Sequence, residues 1–274
     1  MSGFGAMKHD DFFRKHPIFT AAEFARHVSS VGDAGPRAAE ASLGYHMKTG
    51  RLVRVRRGLY AVIPPGASPD SFPVDPYLVA SCLAPDAVIS HHSALEFHGV
   101  AYSTNTRMMY SASRPAAPFT YRSQSFCGTR FTDALVRSGD QFIGVMDAER
   151  AGIKLRVTEL ERTFVDIMDR PDLSGGWEEV FRSLEAVEFF DLDSVVAYAL
   201  MYENATTLAK VGFFLELHRD TLMVQESHLK QLQERRPRQP HYLDRARRTS
   251  GRLVPAWNLV VPVEVLEHTW GEVP

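Results

Sequence analysis

Cysteine is nearly absent: Cys82 and Cys127 are the only two in 274 residues. Two are too few for a disulfide framework or a four-cysteine zinc site. No apolar run approaches the ~18 residues that a membrane span needs, and the N-terminus lacks the basic-then-apolar order of a secretory leader. There is no internal repeat and no long low-complexity tract, which sets solenoids and disordered linkers aside. An overall excess of one charge is missing too, since 31 Lys+Arg face 33 Asp+Glu for a net −2. Charged residues at 23% and aromatics at 11% lie near globular averages, so wholesale disorder is excluded. What remains is a chain long enough for two domains and a sizeable core. The expectation is a soluble, reduced, cytoplasmic protein without a membrane segment.

The near-neutral total hides an uneven distribution. Residues 1–63 hold ten Lys/Arg and five Asp/Glu, and the remainder holds 21 and 28. A small basic module on a larger acidic body points to a polyanionic partner for the first part. Five prolines fall in the thirteen residues from Pro64 to Pro76, a composition that stiffens the chain and removes backbone donors. The expected division is therefore a module at 1–63, a semi-rigid linker at 64–76 and a body at 77–274.

Within the module, Thr20-Ala-Ala-Glu23 has the spacing of a capping box, and Phe19 and Phe24 occupy the two positions of a hydrophobic staple. The spacing predicts a helix over about 20–28, with a short helix after it around Ser29–Asp33. Pro36 opens another periodic segment in which Ala39, Leu43 and Met47 recur every four residues, and Gly50 stands where a helix stop belongs. That helix presents Arg37, Glu40, Gly44, Tyr45 and Lys48 on its other face. In Leu52–Ile63, Val53 and Val55 alternate with Arg54 and Arg56, the period of a half-buried strand, and Gly58 permits a turn into a return strand at Leu59–Ile63. Helix, helix and an arginine-tipped hairpin form the layout of a winged helix-turn-helix, in which a helix enters the major groove and a slim ribbon reaches phosphates or the minor groove. Expected DNA contacts are Arg37, Tyr45 and Lys48 on the helix, with Arg51, Arg54, Arg56 and Arg57 on or beside the wing. The same layout also serves as a protein-docking module, and an arginine hairpin is often only a solvated face.

These residues carry a resemblance. Phe19-Thr-Ala-Ala-Glu-Phe24 and Gly50-Arg-Leu-Val-Arg-Val-Arg-Arg-Gly-Leu-Tyr-Ala-Val62 resemble the N-terminal winged helix of AbiEi-type antitoxins of type IV toxin–antitoxin and phage abortive-infection systems. The likeness continues through Asp75-Pro-Tyr-Leu-Val-Ala80, Ile89-Ser-His-His-Ser-Ala-Leu-Glu-Phe-His-Gly99, Thr158-Glu-Leu-Glu-Arg-Thr-Phe-Val-Asp166 and Pro171-Asp-Leu-Ser-Gly-Gly176. Lys210-Val-Gly-Phe-Phe-Leu-Glu216 stands where the family tends to have an Arg-Leu-Gly run, and beyond Asp220 the pattern loosens. The resemblance implies an autorepressor that binds inverted repeats in its own promoter. It also implies a C-terminal domain that counters a nucleotidyltransferase-like toxin without a stable complex.

The larger part reads as α+β. Asp75-Pro76 caps and opens a helix to about Leu83, and Ser90 is expected to cap a helix ending at His98 with Gly99 as its stop. Strand-like runs follow at Thr106–Ser111, Phe119–Ser125, Gln141–Met146 and Ile153–Val157. Thr158-Glu-Leu-Glu161 has the spacing of a second capping box, for a helix to about Asp169. Helices are expected at 177–188, 192–202, 205–218 and 227–235, and a late strand at Leu253–Val263.

Catalytic chemistry finds little support in the residues. His91, His92, Glu96 and His98 have the types of a metal cluster, but His91 and His92 point in different directions and no second ligand group is evident; the expected role is packing the helix against the preceding strand. Gly175-Gly176 with Asp191 and Asp193 has the types of a nucleotidyltransferase site. The stretch between is helical in pattern, and its simpler reading is a turn followed by a cap at Asp191. No carboxylate-x-Lys pair lies at Ile153-Lys-Leu155, and no nucleophile motif is recognisable. The expectation is a protein that is not an enzyme and holds neither metal nor cofactor. A second basic segment, 235–252, contains seven arginines and one aspartate. Arg235, Arg236, Arg238, Arg245, Arg247 and Arg248 are candidates for a surface that meets RNA, tRNA or DNA, the plainer reading being a solvated helix end. Two further readings stand beside the antitoxin: an ordinary winged-helix regulator whose body senses a ligand or dimerises, and a nucleic-acid-modifying enzyme.

Overall fold

A computed structural model describes residues 9–32, 36–244 and 251–270, and its fold is α+β. The chain starts with α1 (Asp10–Lys15), β1 (Ile18–Thr20), α2 (Ala21–Ser30), α3 (Pro36–Lys48), β2 (Leu52–Arg56) and β3 (Leu59–Val62). The central stretch contains α4 (Pro76–Ser81), β4 (Val88–Ile89), α5 (His92–His98), β5 (Arg107–Ala112), β6 (Phe119–Tyr121), β7 (Gln124–Arg130), α6 (Asp133–Ser138), β8 (Val145–Arg150) and β9 (Ile153–Thr158). A helical stretch follows, with α7 (Leu160–Asp169), a 3-10 turn (Pro171–Ser174), α8 (Trp177–Glu185), α9 (Leu192–Met201), α10 (Ala205–Leu217) and α11 (Glu226–Gln233). The chain closes on β10 (His241–Tyr242), β11 (Gly251–Val254), β12 (Leu259–Pro262) and α12 (Val263–Leu266).

Local chemistry accounts for the N-terminal elements. The Thr20 hydroxyl accepts from the Glu23 amide at 3.2 Å, and the Glu23 carboxylate accepts from the Thr20 amide at 2.7 Å, so the capping box is present with both halves formed. Phe19 and Phe24 are fully buried with ring centroids 5.6 Å apart. The first helix and strand have no counterpart in the sequence reading. α1 has Asp10 and Asp11 in its first turn and Arg14 and Lys15 in its last, the polarity a helix dipole favours. Its Phe12 and Phe13 complete an aromatic core with Phe19 and Phe24. On α3, Ala39 and Leu43 are buried and Met47 half-buried, and Gly50 follows at φ +72°. The short helix expected around Ser29–Asp33 is not a separate element among the described residues: Ser29 and Ser30 belong to α2, Val31 and Gly32 form a turn, and Asp33 lies outside the described residues.

Strands β1, β3 and β2 form an antiparallel sheet in that order. The β2–β3 pairing slips between Arg54 and Arg56, where one extra residue enters β2. Such a bulge bends the strand and re-aims the side chain beside it.

The central sheet has six strands in the order β6-β7-β5-β4-β9-β8. Its antiparallel pairs are β6–β7, β4–β5 and β8–β9, and its parallel pairs are β5–β7 and β4–β9. Its apolar residues Met108, Tyr110, Phe126 and Val157 share one cluster with Leu78 and Val79 of α4, and also with Ile18, Val55, Leu59 and Ala61 of the N-terminal sheet. The proline-rich stretch 64–76 up to Asp75 does lack helix and strand, but hydrophobic packing continues across the expected boundary. The stretch is also pinned: Arg122 donates to the carbonyl oxygens of Pro69 and Phe72, and Arg150 pairs with Asp75.

Several element boundaries differ from expectation. The residue preceding α5 is His91 at φ +55°, and its helix has no side-chain cap; the Ser90 hydroxyl instead hydrogen-bonds Ser111 at 2.9 Å. Thr158 does not cap α7, which starts after Glu159. Thr158 is the buried last residue of β9, and its hydroxyl meets that of Thr163 at 2.6 Å. Phe119–Ser125 is a hairpin turning at Arg122 and not one strand, and β8 begins at Val145, after a turn. The final apolar run is likewise a hairpin, β11–β12, folded at Asn258 with φ +48°. By contrast, Asp75 accepts from the amides of Tyr77 and Leu78, and Gly99 closes α5 at φ +74°, as the spacing predicts.

The helical part packs around α10, whose residues from Thr207 to Leu215 are all buried. Gly212 is where the late hairpin docks. A Cβ placed there would lie 2.2 Å from the Trp257 ring, and the Trp257 indole donates to Glu216 at 2.6 Å. The Lys210-Val-Gly run therefore has a packing role: its glycine admits an indole, and Lys210 donates to the Met168 carbonyl oxygen at 3.1 Å.

Candidate nucleic-acid interface

On α3 the residues Arg37, Tyr45 and Lys48 are exposed, Tyr45 at 46%. At ~100° per residue they fall within ~80° of one another on the helix surface, opposite the buried Ala39 and Leu43. Arg54 is exposed on β2, and Arg57 is exposed beside Gly58, which takes φ +81° at the hairpin turn. These five side chains form one cationic and aromatic set on two neighbouring elements.

Two arginines expected on the same surface are turned elsewhere. Arg51 is half-buried, pairs with Asp10 and lies 5.3 Å over the Phe13 ring; its charge is offset and its stem packs on α1. Arg56, re-aimed by the bulge, lies 4.8 Å over Phe119 of β6, and its buried Nη1 has no hydrogen-bond partner among the described residues. Both therefore hold the module together and against the body, and neither is displayed to a ligand as the alternation of β2 predicts.

His46 lies on the inner side of α3, 1% exposed. Burial lowers its pKa to about 4, with Arg51 and His9 adding repulsion. Beside it the His9 ring is 5.2 Å from His27 and 5.8 Å from His46. No feature of the spacing announces this histidine group, because its members come from α2, α3 and the residue that precedes α1.

In the second basic segment, Arg235 and Arg238 are exposed and Arg236 is half-buried, immediately after α11. Arg245, Arg247 and Arg248 lie outside the described residues. The histidine motif is dispersed in direction. His92 Nε2 is 3.2 Å from Glu179 and its Nδ1 is 3.8 Å from Glu96, while His98 Nε2 donates to the Thr158 carbonyl oxygen at 2.8 Å. Burial alone would lower the His92 pKa, but the two carboxylates outweigh it and raise it. The motif ties α5 to α8 and to the end of β9, in place of the preceding strand alone. Gly175 ends the 3-10 turn at φ +86°. Asp191 caps α9 by accepting from Ser194 at 3.2 Å, and Asp193 pairs with His228 at 3.0 Å.

No protein-family model matches the chain, and no curated protein does. Among solved structures, the chain is similar to a crystal structure of the RV2827C protein from Mycobacterium tuberculosis. The TM-score is 0.58 at 18% identity, over 97% of this chain and 95% of that one. At that identity the likeness concerns the fold. Among the described residues, no helix is long and apolar enough to cross a membrane.

Proposed function

We propose that this chain is a cytoplasmic DNA-binding autorepressor of the AbiEi antitoxin type, acting without catalysis. The observation that carries the DNA-binding half is the joint exposure of Arg37, Tyr45 and Lys48 on α3 with Arg54 and Arg57 on the β2–β3 hairpin. In this reading α3 is the recognition helix of a winged helix-turn-helix, and the hairpin is its wing. The arginines and Lys48 neutralise phosphates, and Tyr45 stacks or hydrogen-bonds at a groove edge. The antitoxin half rests on the ordered motifs from Phe19 to Glu216, with the body acting on a nucleotidyltransferase-like toxin without a stable complex. The arginines after α11 supply a second surface for a polyanion, RNA included.

The test uses the full-length protein on DNA from its own upstream region. Binding that weakens on Arg37→Ala and Lys48→Ala, with a shallower dependence on salt, supports the first half; binding unaffected by both changes sinks it. For the second half, co-expression with a nucleotidyltransferase encoded beside this gene should restore growth.

One observation favours a second reading, a ligand-sensing regulator. A cavity of about 740 Å³ lies between the module and the proline-rich stretch, lined by Phe13, Ile18, Val62, Phe72, Val74 and Leu78 among others. Its volume is in the range of small-molecule sites, and it adjoins Gly50 and Arg51 at the end of α3. A regulator of this kind would show promoter affinity that changes with an apolar effector and no rescue from any toxin.

A further inference from the structure

Strand β4 passes into α5 through His91, held at φ 55°, ψ −134°. An L-residue pays steric strain there, and such strain persists where a side chain must be presented at a set angle. The turn has the strand-to-helix form that projects a functional side chain from the end of a sheet. The ring is buried, with Nδ1 3.0 Å from the Ser90 hydroxyl, itself 2.9 Å from that of Ser111. Its Nε2 makes no hydrogen bond to a described residue. The ring lines a polar cavity of about 240 Å³ that collects β5, β7, α6 and α7 around it. Two sequence runs that the DNA reading leaves unused, Ile89–Gly99 and Thr158–Asp166, thus meet at one place.

Most charges in that cavity are already matched. Arg162 lies 3.4 Å from Asp166 and donates to the carbonyl oxygens of Gln141 and Ile143, while Asp166 accepts from Tyr198 and Tyr202 at 2.9 and 3.2 Å. Arg170 forks onto Asp172, and Asp169 accepts from Asn204 and Thr207. Two charges are left over, Arg130 at the end of β7 and Asp133 at the start of α6. Both are exposed, and neither side chain bonds to another described residue. One cation and one anion three residues apart complement a ligand that carries both signs. A simple anion or a simple amine would satisfy only one of them.

We infer that this cavity is a binding site for a small zwitterion of the free α-amino acid class. Arg130 takes the carboxylate, Asp133 the ammonium group, and His91 a polar side chain. Burial lowers the His91 pKa, so the ring serves as a neutral hydrogen-bonding group at pH 7. The site uses none of the proposed DNA contacts, so its fate and that of the DNA reading are separable.

The test measures the melting temperature of the full-length protein with each standard amino acid, followed by calorimetric titration of any that stabilises it. Acetate, ethylamine and inorganic phosphate serve as probes of one sign only. At least one amino acid should raise the melting temperature, with none of these three probes matching it. Arg130→Gln and Asp133→Asn should each weaken that binding about tenfold, the scale of one lost charged hydrogen bond, while the unliganded melting temperature holds. His91→Gly separates function from folding: removing the strain should raise the unliganded melting temperature while binding is lost. Stabilisation by no amino acid, an equal effect from acetate, ethylamine or phosphate, or undiminished binding in both rim variants would each overturn the proposal. A His91→Gly protein that melts lower, with binding intact, would do so as well.

Discussion

The guanidinium of Arg56 lies 4.8 Å over the ring of Phe119, joining the β2–β3 hairpin to the edge of the six-stranded sheet. Arg54 and Arg56 would share a face in a regular strand, yet Arg56 faces the body while Arg54, like Arg57, is exposed. The bulge between Arg54 and Arg56 produces the difference.

That difference sets the first prediction. Arg57→Ala should weaken binding to every DNA sequence by a similar factor and reduce the slope of log affinity against log salt by ~1. Arg56→Ala should leave the slope unchanged and lower stability by about 1 kcal/mol, the range of a partly desolvated cation–π contact. Salt titrations of both variants, with urea midpoints, decide it. A slope change in Arg56→Ala would return that residue to the DNA surface.

The second concerns Gly212. Its added Cβ would meet the Trp257 ring at 2.2 Å, closer than any side-chain adjustment within a buried helix tolerates. Gly212→Ala should cost about 1–3 kcal/mol by overpacking. Combining it with Trp257→Leu should cost less than the two single changes added together, because the clash is removed. Additive losses in chemical denaturation would show that the added methyl group and the indole do not compete for the same space.

What the sequence made legible was local. The Thr20–Glu23 box, the Phe19–Phe24 staple, the Asp75 cap and the turn at Gly58 each depend on residues within a few positions, and each is present. The bulge in β2, the indole filling the space over Gly212 and the strained His91 turn are set by distant partners: Phe119, Trp257 and the neighbouring strands. For the same reason Ser90 and Thr158 match a capping pattern but spend their hydroxyls on Ser111 and Thr163. Within the proposed interface, Arg37, Tyr45, Lys48, Arg54 and Arg57 are exposed as the periodicity predicts. Arg51 and Arg56 are not, because alternation along a strand carries no record of a bulge or of an acidic neighbour on α1.

A third prediction follows from His46. Its folded pKa is about 4 against 6.5 for a free imidazole, so between these values the unfolded chain binds the extra proton. The stability due to the neutral ring is complete above pH 6.5 and falls as pH drops toward 4, by about 3 kcal/mol. Burial also lowers the His27 pKa, which acts in the same direction. Urea midpoints between pH 7 and 4 should therefore decline less in His46→Leu than in the parent protein. Parallel declines would mean that the ring titrates normally.

Thr20→Ala removes an oxygen that accepts from the Glu23 amide at 3.2 Å and donates to its carboxylate at 2.8 Å. The loss should be about 1 kcal/mol, with DNA affinity near the parent value at temperatures well below unfolding. If affinity falls while the melting temperature holds, Thr20 touches DNA and is not simply a cap.

The last prediction concerns how the two proposed activities divide. The proline-rich stretch first implies two bodies that can be cut apart, but Ile18, Val55, Leu59 and Ala61 share a cluster with Leu78, Val79 and Met108. A fragment starting at residue 77 would expose the apolar partners of the N-terminal sheet, and contiguous surface of that kind drives association. Such a fragment should aggregate, so its failure to rescue cells from a toxin would reveal nothing about mechanism. Surface changes in the full-length protein leave this core intact and divide the activities cleanly. Replacing Arg37, Lys48 and Arg57 with Ser should abolish repression of a promoter reporter and spare rescue. Replacing Arg235, Arg236 and Arg238 with Ser should spare repression and impair rescue. Growth and reporter output, scored together for both variants at matched protein levels, give the answer. Loss of both activities in either variant would refute the division, and a soluble, monomeric fragment from residue 77 would refute the shared core.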